Sequence, residues 1–185
     1  MVQIVVINGV GGSGKDTFVD ACQKIDKDIY NLSMIDYVKQ TASQLGWNGE
    51  KDDKGRRFLC DLKDALENFD DSPYKSIQWS IKQIMNSDIL NYTDEKNSCI
   101  IFIHAREAKD IERLVKDYNA FTVLIRRPSV EHSHAFTNHA DLDVLSYHPY
   151  DYIYWNVGTV NKIEKDVKDF LEIVDKFGKK VEKEN

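Results

Sequence analysis

The stretch VQIVVINGVGGSGKDTF, residues 2–18, decides how the rest of the chain is read. Val2 to Ile7 is almost continuously apolar and β-branched, the pattern of a strand buried on both faces of a parallel sheet. Gly9, Gly14 and Lys15 then fit G-x-x-x-x-G-K, and Phe18, Val19, Cys22 and Ile25 recur at helical spacing. A strand before the loop and a helix after it are the context this motif needs. Glycines let the backbone curl until successive N–H groups point at phosphate oxygens. The following helix turns its positive end towards the same anion. A lysine at this position reaches the β- and γ-phosphates of a nucleotide and offsets the charge that develops during transfer. Gly9, Gly11, Gly12, Ser13, Gly14, Lys15, Asp16 and Thr17 are therefore the expected cofactor-binding residues. Most such loops carry Ser or Thr after the lysine, as a Mg²⁺ ligand; here Asp16 stands there. Its carboxylate either ligates Mg²⁺, directly or through water, or serves only the helix dipole.

The chain has 185 residues, a length that favours one domain with a single core. It is 42% hydrophobic and 30% charged, with a formal net charge of −6 and no basic block. Broad binding to nucleic acid or to an anionic membrane is disfavoured by that balance, although a local basic pocket for a phosphorylated small molecule is compatible with it. Cys22, Cys60 and Cys99 are scattered and lack metal spacing, so they read as reduced thiols of a cytoplasmic protein. The first apolar run leads straight into the glycine loop rather than forming a signal peptide, and no stretch approaches the roughly 20 apolar residues of a membrane span.

Outward from the loop, strands alternate with helices. IYNLS (29–33) reads as a short strand and Met34 to Leu45 as a helix ending near Gly46. GWNGEKDDKG (46–55) is polar and glycine-punctuated, hence a loop. Phe58, Leu59, Leu62, Leu66 and Phe69 mark an amphipathic helix, and another begins near Pro73 with Ile77, Ile81, Ile84 and Met85. CIIFIHA (99–105) and AFTVLIR (120–126) are buried strands flanking a helix with Ile111 and Leu114 on its apolar face. Residues 127–149 form a polar, histidine-rich excursion. YDYIYWN (150–156) is the last strand, and Val160, Ile163, Val167, Phe170, Leu171 and Val174 line the last helix, with a frayed KKVEKEN tail. This alternation argues for a parallel α/β sheet with helices on both faces.

GVGGSGKDTF resembles the loop of the phage-type deoxynucleoside monophosphate kinases, whose G-K-D-T signature carries the same aspartate; P-loop phosphomevalonate kinases share a similar G-K-D. SMIDYVKQTASQLGW (33–47) resembles the family segment in which a serine, an acidic residue and a lysine open the acceptor-binding helix. LGWNGEKDDKGRRFLCDL (45–62) resembles the loop and helix that follow, and DYIYWNVGTVNKIEKDV (151–167) the terminal strand, Asn-x-Gly turn and last helix. The resemblance implies a three-layer α/β/α P-loop NTPase fold in one domain over residues 1–185. It has a five-stranded parallel sheet, a helical acceptor-binding insertion at about 34–92 and a lid at about 127–149. It also implies transfer of the γ-phosphoryl group of ATP, with Mg²⁺, to a small phosphorylated acceptor. The expected acceptor is a nucleoside or deoxynucleoside monophosphate; dephospho-coenzyme A or phosphomevalonate, or a non-catalytic nucleotide switch, are the alternatives. The chain departs from the family at FIHAREAKD (102–110), where His104 and Ala105 precede Arg106 and an aspartate is usual.

Phosphoryl transfer needs positive charge around the moving group. Lys15 is the first candidate. Arg106 follows the third strand, at the sheet end where open α/β folds place ligands. Arg126 and Arg127 end the fourth strand and open the excursion, as lid arginines do. Ser33, Asp36 and Lys39 are expected around the acceptor, and Arg56 or Arg57 is placed to grip its phosphate. His132, His134, His139 and His148 match no zinc spacing. The partners expected are small molecules, with no nucleic acid and no membrane, for a monomer or homodimer.

Overall fold

The computed structural model describes residues 2–26, 28–86, 99–131 and 147–184. In chain order the elements are β1 (Val2–Asn8), α1 (Lys15–Ile25), β2 (Ile29–Ser33), α2 (Asp36–Gln44), α3 (Asp53–Asp70), α4 (Ser72–Met85), β3 (Cys99–His104), α5 (Ala108–Tyr118), β4 (Phe121–Arg126), α6 (Pro128–Glu131), β5 (Tyr152–Trp155) and α7 (Val160–Glu184). Most of the histidine-rich excursion, including His132, His134 and His139, and with it most of the expected lid, lies outside the described residues.

Residues 2–31 and 99–184 belong to one compact unit. It carries a five-stranded parallel sheet in the order β2-β3-β1-β4-β5, so the strand that leads into the glycine loop is central. β1 runs parallel to β3 from Val2 opposite Cys99 to Ile7 opposite His104, and parallel to β4 from Val5 opposite Phe121 to Asn8 opposite Leu124. With helices on both sides this is the expected three-layer α/β/α fold.

Alternation along the strands explains the layers. Val5, Ile7, Ile100, Phe102, Val123 and Ile125 join Phe18, Val19 and Cys22 of α1 and Ile163, Val167, Phe170 and Val174 of α7 in one buried cluster. Phe170 is its aromatic centre, with ring centroids 5.0 Å from Phe18 and 5.3 Å from Tyr152. The intervening residues Ile4, Val6, Ile101 and Ile103 are equally buried and face the side of α5, whose Ile111 and Leu114 are fully enclosed. A central strand covered on both faces must be apolar throughout, which is why VQIVVI reads as a run rather than an alternation. The edge strand β5 is laced to β4 at its start: Thr122 donates to Asp151 Oδ2 from its N–H (2.8 Å) and its hydroxyl (2.7 Å), and Asp151 N–H returns a bond to Thr122 Oγ1 (2.9 Å).

Residues 32–86 form a second compact unit built of α2, α3 and α4. Val38, Ala42 and Leu59 pack with Trp47, Leu62 and Leu66. The polar stretch expected as a loop to Gly55 is cut short, because Asp52 Oδ1 accepts from Gly55 N–H at 2.7 Å and starts α3 at Asp53.

The apolar periodicity overreaches at helix ends. Ile25, Phe69, Met85 and Val160 continue their stripes in sequence yet are exposed, Phe69 at 86%. Each is at or next to a helix terminus, past the layer its helix covers. At the other extreme, α7 continues to Glu184 through the tail expected to fray, with Lys179 paired to Asp175 one turn back at 2.6 Å.

Candidate functional site

The glycine loop leaves the carboxyl end of β1 and is fixed by strand-end side chains. Asn8 is fully buried; its Oδ1 accepts from Gly9 N–H (2.7 Å), and its Nδ2 donates to Tyr150 Oη (2.7 Å) and more weakly to the Arg106 carbonyl (3.4 Å). Burial pushes the Tyr150 phenol up to about 12, so it stays protonated beside Asn8. Asn156, just past β5, donates from Nδ2 to the Ser13 carbonyl (2.8 Å), and its N–H donates to the Arg126 carbonyl (2.7 Å).

Two glycines have no substitute here. Gly9 has φ +147°, and a Cβ there would lie 2.5 Å from the Ile125 carbonyl oxygen. Gly14 has φ +98°, and a Cβ there would run into the Asn156 amide. Gly14 is also the N-cap of α1 and contributes no side-chain cap, so the positive end of the helix is left open to the loop. Ser13 Oγ is buried and has no hydrogen-bond partner among the described residues, a donor that the loop itself does not use.

Charged groups surround this backbone. Lys15 Nζ lies back across the loop and donates to the carbonyls of Gly9 (2.6 Å) and Val10 (3.1 Å). Arg127 donates from a terminal guanidinium nitrogen to the Gly12 carbonyl at 3.3 Å. Asp16 projects into solvent from the first turn of α1, its Oδ1 3.8 Å from Nε2 of the largely buried His104 at the end of β3. Arg106 follows, exposed. Arg126 has a different setting: Glu131 of α6 takes its Nε and a terminal nitrogen in a two-pronged bond of 2.6–3.0 Å, and its guanidinium lies 5.0 Å above the Trp155 ring. The Glu131 bond holds the Arg126 guanidinium above the usual arginine range. Glu131 also accepts from Arg127 N–H at 3.1 Å, which ties both arginines to the short helix.

The structure thus brings Gly9 to Thr17, Arg106 and Arg127 together at the carboxyl end of the sheet, with Arg126 alongside and tied to a carboxylate. The expected acceptor residues belong to the helical unit. There Lys39 Nζ meets Asp36 Oδ1 at 3.3 Å one turn away, at the start of α2, three residues past Ser33. Arg56 donates from Nε to the Lys51 carbonyl (2.8 Å), and the exposed Arg57 stands 3.9 Å from Asp61. Asn8, Tyr150, Glu131 and His104 were not singled out as functional from sequence. Asn8 carried a signal, a polar residue closing an otherwise apolar strand immediately before a glycine, and so did His104, which stands in the departure at FIHAREAKD.

No family model and no curated relative matches the chain. Among solved structures it is similar to a sugar kinase from Janibacter sp. HTCC2649, with 13% identity and a TM-score of 0.47 over 96% of this chain and 98% of that one. It is similar to shikimate kinase from Aquifex aeolicus vf5 at 11% identity and a TM-score of 0.46, over 92% and 96% of the two chains. A thymidylate kinase from Ehrlichia chaffeensis aligns at 12% identity and 0.43, over 92% and 98%. All three scores lie below 0.5.

Proposed function

We propose that the protein is a P-loop kinase that transfers the γ-phosphoryl group of ATP to a small phosphorylated acceptor, foremost a nucleoside or deoxynucleoside monophosphate. The carrying observation is the loop: positive-φ glycines at 9, 12 and 14, a buried Ser13 hydroxyl with no partner among the described residues, a helix start without a side-chain cap and Lys15, all at the carboxyl end of the central strand. This is a cradle for a nucleotide polyphosphate. The G-K-D-T loop and the 33–62 segment, by resemblance, support the monophosphate acceptor, with Ser33, Asp36, Lys39, Arg56 and Arg57 contacting it.

In this reading the loop N–H groups hold the phosphates. Lys15 leaves its carbonyl partners for the phosphate oxygens, and Arg127 and Arg106 add charge at the transferring group. Asp16 offers a carboxylate oxygen to a divalent cation. That ion, expected as Mg²⁺, would offset the negative charge of the phosphates when bound. An oxygen of the acceptor phosphate bonds to the γ-phosphorus as the bond to the β–γ bridging oxygen breaks, and ADP leaves. Arg126 joins in only by giving up Glu131, so its role is to anchor the base of the excursion.

The end of β3 favours a second reading. It presents His104 and Ala105 before Arg106, where an aspartate is usual, which suits a nucleotide-binding switch without turnover. Adding each common ribo- and deoxyribonucleoside monophosphate separately to the protein with ATP and the cation distinguishes the two. Stimulated ADP release with one or a few of them is expected. ATP binding with no stimulation by any of them removes the nucleotide acceptor; dephospho-coenzyme A and phosphomevalonate are then the next acceptors, and silence there leaves the switch.

A further inference from the structure

His104 and Asp16 meet where the cation of the proposed reaction would sit. His104 closes β3 opposite Ile7 of the central strand. It follows Ile100 and Phe102 on the face covered by α1, so its ring points towards the first turn of that helix. There Nε2 comes within 3.8 Å of Asp16 Oδ1. Two donors bound to one ion at about 2.1 Å each stand about 3.0 Å apart when adjacent around it and about 4.2 Å apart when opposite. The observed 3.8 Å lies between these two values, so a shift of under about 1 Å brings both donors onto one cation. The donor set is one oxygen and one nitrogen. Mg²⁺ takes oxygen ligands and keeps its waters, whereas imidazole suits first-row transition ions.

We propose that His104 ligates the cation together with Asp16, and that its imidazole turns the preference of the site from Mg²⁺ towards Mn²⁺ or Co²⁺. The proposal rests on the nucleotide-binding reading above, since phosphate oxygens complete the coordination. It gives the departure at FIHAREAKD a chemical meaning: a nitrogen donor faces Asp16 there. The Asp16 carboxylate keeps the site open to Mg²⁺, so the change is one of preference rather than exclusion.

The test is Mn²⁺ binding to the full chain saturated with ADP, followed by electron paramagnetic resonance, with Mg²⁺ as competitor. Protein labelled with ¹⁵N-histidine is expected to show a ¹⁵N coupling to bound Mn²⁺ that disappears in His104→Ala. The ratio of Mn²⁺ to Mg²⁺ affinity is expected to fall about tenfold or more in His104→Ala, within the range seen when a metal site loses a supporting group. In His104→Asp, which returns an oxygen donor and guards against a packing artefact, the ratio is expected to fall while Mg²⁺ binding strengthens. Bound ADP and Mn²⁺ without histidine coupling, or an equal ratio in all three proteins, overturns the proposal and leaves nucleotide binding intact. Failure of ADP to bind with any of the ions overturns the nucleotide reading, and this proposal with it.

Discussion

Asn8 and Asn156 stand at the ends of β1 and β5 and each hold one backbone group of the glycine loop, Gly9 N–H at 2.7 Å and the Ser13 carbonyl at 2.8 Å. A loop of small residues cannot hold its own shape, because glycine gains no packing and samples more of φ/ψ space than any other residue. Here the shape is set from outside by two amides that are themselves buried. Removing the Asn156 amide strands a buried carbonyl, which costs about 1–3 kcal/mol. It also empties the space beside Gly14 that the amide fills. Asn156→Ala is therefore expected to lower the unfolding free energy by that amount in urea and to weaken ADP binding about tenfold. Unchanged binding in a destabilised protein would show that the loop does not depend on this anchor. The charged residues divide differently from the amides. Arg127 reaches the loop, while Arg126 is neutralised by Glu131 and flattened on Trp155.

At the scale of elements, α7 does most to hold the sheet together. Phe170 touches the rings of Phe18, Tyr152, Phe102 and Phe121, so one side chain joins α1, β5, β3 and β4. Phe170→Ala is expected to cost about 3–5 kcal/mol, by lost burial and a cavity the fixed strands cannot close. Val160→Ala on the exposed first turn should stay within about 0.5 kcal/mol. Comparable losses in the two variants would contradict the packing account. The strands and the glycine loop were legible in sequence because a doubly covered parallel strand leaves an unbroken apolar run, and because the glycines of the loop fall at fixed spacing after it. Helix ends were less legible: the stripe of Phe58 to Phe69 runs on to an exposed Phe69, and a capping aspartate, Asp52, started α3 inside a stretch that reads as loop. Of the candidate site, Lys15 and Asp16 could be read from motif position, and Arg127, together with Arg126, from its place at the end of the fourth strand. Glu131 could not, since its pairing with Arg126 is a matter of where a four-residue helix turns back. Nor could the nearness of His104 to Asp16, because they are 88 positions apart and meet only through β3–β1 pairing.

The molecule as a whole carries a net charge of −6, yet cationic side chains, Lys15, Arg106 and Arg127, gather at the end of its central strands. That contrast suits a compact anion held locally better than a polyanion lying across the surface. Among the described residues no helix is long and apolar enough to cross a membrane. The central claim is that the glycine loop binds nucleotide phosphates with Lys15 as its cationic partner. The most direct test is a calorimetric titration of ATP, with Mn²⁺ or Mg²⁺ present, into the unaltered protein and into Lys15→Ala, with thermal melts of both. The account predicts one saturable site, an affinity at least tenfold lower without the lysine, as expected for a charge-assisted bond to phosphate, and closely similar melting of the two free proteins. Equal affinity in the two proteins, or no binding to the unaltered one, would contradict it.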